Sequence, residues 1–161
     1  MNPKSTPNIN VFDIANWFLA KANSEGRDLN LLKLQRLVYF AYGWYCASND
    51  DPPLFAESFY AWRRGIVVKV LHERYEHCGS NPIIDRSLDC PVFDENVMEI
   101  LQSVWKNYSP LSDHALSQAI RGHSTWRRAS RSLEWDAVIP PDTIREYFKE
   151  LAEKYEYAVQ N

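Results

Sequence analysis

Apolar positions recur at helical spacing along most of this chain. Val11, Ile14, Ala15, Phe18, Leu19 and Ala22 share one face of a 3.6-residue period. Asn10 stands in front of them as an N-cap, with Asp13 completing an imperfect capping box, and Gly26 closes the helix behind them. A second helix is expected over about Asn30 to Ala47. Its start is amphipathic, with Lys33, Gln35 and Arg36 set between leucines. Its continuation, Leu37-Val-Tyr-Phe-Ala-Tyr-Gly-Trp-Tyr-Cys-Ala47, is apolar almost all round. Such a helix must be surrounded by other elements, which places it at the centre of the fold with Tyr39, Phe40 and Trp44 in the core.

Further along, Ser48 to Pro53 is a turn by composition. Phe55 to Trp62 fits either a short strand or an extended segment, and Gly65 breaks it. Val67 to His77 reads as a helix, although three valines lower its propensity. Gly79 to Pro91 reads as loop with a small strand at Ile83-Ile84. Asp94 caps a helix to about Tyr108, and Ser112 caps another that stops at Gly122. A short helical turn is expected over Trp126 to Ser130, and Pro140 and Pro141 open the last helix. The sum is a mainly α, compact single domain over residues 10–158, a bundle of about six helices around a central apolar helix, with one small β-hairpin. Residues 1–9 read as a flexible tail.

Composition narrows the function classes. The 161 residues are 45% apolar and 24% charged, which excludes wholesale disorder. The net charge of −3 argues against a surface that is basic throughout, though not against a local basic patch. The longest apolar stretch is about half of the ~20 residues a bilayer needs, so no membrane span is expected. No secretory leader is recognisable, and Cys46, Cys78 and Cys90 lack CxxC spacing, so the expected setting is a reducing cytoplasm.

Catalytic patterns are sparse. The five glycines form neither GxxxxGK nor GxGxxG, and no GxSxG is present. His114 and His123 are the candidate bases, without a nucleophile in a motif beside them. His72, His77, Cys78 and Cys90 lie close in sequence but not at metal-ligand spacing. The expectation is a protein that is no enzyme and carries no metal or cofactor. Residues 121–131, Arg-Gly-His-Ser-Thr-Trp-Arg-Arg-Ala-Ser-Arg, are more informative. Arginines around a tryptophan suit a nucleic-acid contact, a protein interface, or an exposed loop with Trp126 tucked inward. Ala61-Trp-Arg-Arg-Gly65 offers a second such anchor, and its glycine suggests a backbone position at positive φ.

Three stretches together carry a resemblance. Val11-Phe-Asp-Ile-Ala-Asn-Trp-Phe-Leu19 precedes Leu32-Lys-Leu-Gln-Arg-Leu-Val-Tyr-Phe-Ala41 and Gly43-Trp44, and Glu57 then leads to Ala61-Trp-Arg-Arg-Gly65-Ile-Val-Val. This order resembles the SocA-like, phage-associated protein family, also called the Panacea antitoxin domain, over about residues 10–75. A weaker likeness continues through Leu116 to Ala129. The sequence departs from the pattern at Ile66, where proline is usual, and at Arg121, where histidine is usual. The resemblance implies an antitoxin that binds and neutralises a cognate toxin by direct contact, in two-gene modules of bacteria and their prophages. A protease or chaperone is the implied further partner, through delivery of the toxin for degradation. The expected partner contacts are the polar or amphipathic members of these motifs: Lys33, Arg36, Trp62, Arg63, Arg64, Arg121, Trp126 and Arg127. A nucleic-acid-binding or regulatory role through Arg121 to Arg131 is the alternative.

Overall fold

The computed structural model describes residues 9–50, 52–63, 65–85, 89–123 and 136–160, with backbone alone at 121 and 156–160. Among these described residues, six α-helices and a three-stranded antiparallel sheet follow in the order α1 (Val11–Ser24), α2 (Leu31–Ser48), β1 (Phe59–Trp62), β2 (Gly65–Val68), α3 (Lys69–Tyr75), α4 (Glu95–Tyr108), α5 (Asp113–Arg121), β3 (Ala137–Ile139) and α6 (Pro141–Gln160). A 3-10 turn, Glu76–Cys78, extends α3.

The helix starts follow from local chemistry. Asn10, Asn30, Asp94 and Ser112 each place a side-chain oxygen on an amide of the first turn, at Phe12, Lys33, Val97 and Ala115. Gly26 sits at φ +64° just beyond α1. Ile9 packs partly buried against the core ahead of the Asn10 cap.

Helix α2 is the centre of the molecule. α1, α3, α4, α5, α6 and β2 all pack on it. Tyr39 and Phe40 are buried as the apolar run requires. Trp44, expected in the core, is only partly buried, because it lies where α4 and α6 diverge over α2. Phe148 of α6 fills the opposite need: its ring is fully buried against Tyr39, Phe40, Trp44 and Tyr147. Gly43 makes this fit, since a Cβ there would run into the Phe148 ring.

The sheet is larger than the expected hairpin, with strand order β2-β1-β3. β1 pairs with β2 in the register Phe59↔Val68 to Trp62↔Gly65, which leaves a two-residue turn, and Gly65 sits at φ +136° as its glycine suggested. Two expectations change here. Val67 and Val68, expected to start a helix, instead end strand β2, because Ile66, Val67 and Val68 are β-branched and suit buried pleated positions, and α3 begins at Lys69. Ile83 and Ile84 form no strand. The Ile83 amide donates to the Leu29 carbonyl at 2.9 Å beside an isolated bridge between Asn30 and Pro82. β3 joins the other edge of β1 with Phe59↔Ile139 and Ala61↔Ala137 in register. The expected turn at Trp126 to Ser130 lies outside the described residues. Among those described, no helix is long and apolar enough to cross a membrane.

Candidate functional site

The sequence-derived contacts divide into two groups. Arg36 is buried, and Lys33 is half-buried with its ammonium bonded within the chain. Arg36 is 3% exposed, and its Nη1 donates to the Asp113 carbonyl at 3.0 Å. Lys33 Nζ donates to the carbonyls of Ser109 at 2.7 Å and Leu111 at 2.9 Å. Burial lowers the Lys33 pKa from its ordinary value, with Asp113 opposing the shift and Arg27 adding to it. Arg27 reaches the same joint, donating to Ser109 Oγ and its carbonyl. Arg36 was expected to face outward, and its burial has a physical reason. The start of α2 lies under the α4–α5 joint, whose partly buried carbonyls need donors, and these long side chains supply them. Gln35 is likewise turned inward, at 2% exposure.

Trp62 and Arg63 lie at the end of β1 and in the turn after it. Arg63 is exposed. Trp62 is partly exposed and held from two sides. Its indole N–H donates to Asp136 Oδ1 at 2.7 Å, and its ring meets His72 edge-to-face with centroids 4.8 Å apart. Asp136 has its other oxygen 2.8 Å from Lys69 Nζ, and Lys69 lies over the Tyr60 ring at 4.0 Å. The Lys69 hydrogen bond, then that of Trp62, holds the Asp136 carboxyl below its usual range, and the same bond raises Lys69. His72 is paired in turn with Glu76 at 3.3 Å. Asp136 adopts φ +91°, a rare conformation for a residue with a side chain, while its amide donates to the Ala61 carbonyl at 3.1 Å. Backbone and side chain of Asp136 thus both fasten onto β1, and the strained conformation is held by these bonds.

Asp136 was not among the sequence candidates. It follows the arginine stretch by several residues and meets Trp62 only through pairing of β1 with β3. Arg64, Trp126 and Arg127 lie outside the described residues, and of Arg121 the backbone alone is described, at the end of α5.

The two candidate bases separate sharply. His114 is exposed beside Gln118. His123 is 5% exposed in an aromatic cage, with Tyr147 at 4.3 Å between centroids and Phe40 and Phe148 edge-on. The Tyr39 hydroxyl is 2.9 Å from its Nδ1. Burial lowers its pKa from 6.5 to about 4. The neutral imidazole is therefore the folded form, and it completes the core. Folding stability is then fully present above the unfolded value near 6.5 and falls as pH drops toward 4, because the unfolded chain takes up the proton first. Denaturant titrations across that window are expected to show this loss. His123→Phe should flatten it, and an unchanged pH profile in that variant would assign the loss elsewhere.

Among the described residues no group of three or more His, Cys, Asp or Glu side chains converges to hold a metal ion. Cys78 and His77 are neighbours, with Sγ 3.6 Å from Nε2. What the surface around Trp62 can do is bind: it offers a pinned indole, a cation stacked on an aromatic ring, and an exposed arginine. Compared with protein-family models, with curated proteins and with solved structures, the chain has no match.

Proposed function

We propose that this chain is an antitoxin-like protein that binds a partner toxin by direct, non-covalent contact and neutralises it by covering its working face. The observation that carries the reading is the fixed, partly exposed Trp62, with Asp136 and His72 setting its ring and exposed Arg63 beside it. Tryptophan and arginine dominate the energetics of protein interfaces, and an anchor held before binding loses little entropy when the partner arrives. The resemblance of the first two helices and the β1–β2 turn to the SocA-like antitoxin pattern supports a toxin as the class of partner. Delivery of the toxin to a protease would add to this contact rather than replace it, and the cytoplasm is the compartment in which it would act.

The test is co-expression with the product of the neighbouring gene, scored by growth. The intact chain is expected to restore growth. Trp62→Ala, which removes no fully buried group, is expected to cost about 2 kcal/mol or more of binding and to weaken rescue in proportion. Full rescue by a folded Trp62→Ala variant would take Trp62 out of the contact. Toxicity unaffected by the intact chain would end the reading for that gene pair.

A further inference from the structure

A second surface lies away from the sequence motifs, where α4 and α6 flank α2 without closing over its C-terminal half. The opening is about 760 Å³ and is lined chiefly by Trp44, Ala47, Ile100, Val104, Tyr108 and Tyr155. Its floor is rigid. Tyr108 stacks on Phe40 with centroids 3.9 Å apart and 7° between planes, and the Trp44 indole donates to the Tyr108 hydroxyl at 3.0 Å. Tyr155, 56% exposed, stands 6.0 Å from the Trp44 ring as one wall.

Two features select the occupant. The α4 wall runs from Glu99 to Tyr108, about 14 Å at 1.5 Å per residue. Side chains at i, i+3, i+4 and i+7 of a helix span about 10 Å and fit that length, as in helix-in-groove recognition. Glu99 is the one charged residue among those lining the slot, it is exposed, and no described cation pairs with it. The slot is thus complementary to an apolar stripe bordered by a single positive charge.

We infer that this slot receives an amphipathic helix of a partner protein, with its apolar face on Trp44, Val104 and Tyr108 and a lysine or arginine at Glu99. This goes beyond the Trp62 contact and does not depend on the partner being a toxin.

The experiment titrates the isotope-labelled full chain with a synthetic helix of about fourteen residues, carrying leucines at i, i+3, i+4 and i+7 and one flanking lysine. Saturable shifts are expected at Ile100, Val104 and Ala152. Glu99→Lys is expected to weaken binding about tenfold, and a peptide with glutamate in place of its lysine should recover it. Glu99 is exposed, so an unchanged melting curve is the folding control. Absence of saturable binding, shifts confined to the Trp62 surface, or an affinity indifferent to Glu99→Lys would each overturn the inference. So would a free chain already paired with a second copy through these residues. No toxin enters the experiment, so its failure is separable from failure of the growth-rescue test.

Discussion

Gly43→Ala is expected to destabilise the fold by roughly 2–3 kcal/mol, the cost of overpacking a filled core. An alanine in the middle of a helix ordinarily stabilises by up to about 1 kcal/mol relative to glycine. Here the added methyl meets the ring of Phe148. That ring is wholly buried and in contact with Tyr39, Phe40, Trp44, His123 and Tyr147, so it has no free direction in which to yield. Overlap therefore outweighs propensity. Chemical denaturation checks the sign and the size. A double variant with Phe148→Leu is expected to lose less than the two single losses added together, because the smaller side chain makes room for the methyl. Strict additivity would mean that the two residues do not press on each other.

The second large effect is expected at Gln35. Its side-chain amide donates from Nε2 to the Val68 carbonyl at 3.0 Å and accepts from the Val68 amide at 2.9 Å, all of it buried. The helix thereby supplies the last residue of β2 with the pair of bonds that another strand would give. Gln35→Ala strands both backbone groups, at about 1–3 kcal/mol each, so a loss of about 3 kcal/mol is expected after partial relaxation. Gln35→Glu separates the two bonds. A carboxylate accepts from the Val68 amide but repels its carbonyl, whereas the protonated acid serves both. Burial raises the pKa of such a group. The folded value then lies above the unfolded one, so the variant gains stability as pH falls through the folded value and loses it as pH rises. A Gln35→Glu stability profile that is flat with pH would show that the Val68 carbonyl is satisfied by other means.

Much of the helical frame was legible because its signals are local. Asn10, Asn30, Asp94 and Ser112 are caps by residue type alone, and each one makes the bond its position implies. The length of the apolar run from Leu37 to Ala47 was enough to place α2 at the centre. What was not legible depends on which distant element lies above a given face. Lys33, Gln35 and Arg36 read as the polar side of an amphipathic start. Periodicity cannot show that the carbonyls of Ser109, Leu111 and Asp113, and the backbone of Val68, wait on that side. β3 has three residues, too few for an alternation pattern, and its partner β1 is more than seventy positions earlier. The same distance hid Asp136 as the residue that fixes Trp62. Trp62 and Arg63 are candidates by residue type, and the turn signal at Gly65 beside them holds in the structure as a positive φ.

Titration calorimetry of the purified neighbouring-gene product into the intact chain and into Trp62→Ala, with matched melting curves, tests the central claim most directly. A one-step binding isotherm that weakens about thirtyfold or more in the variant is the expected result, corresponding to ~2 kcal/mol. Equal affinity of the two folded chains for that protein would contradict a contact built on Trp62.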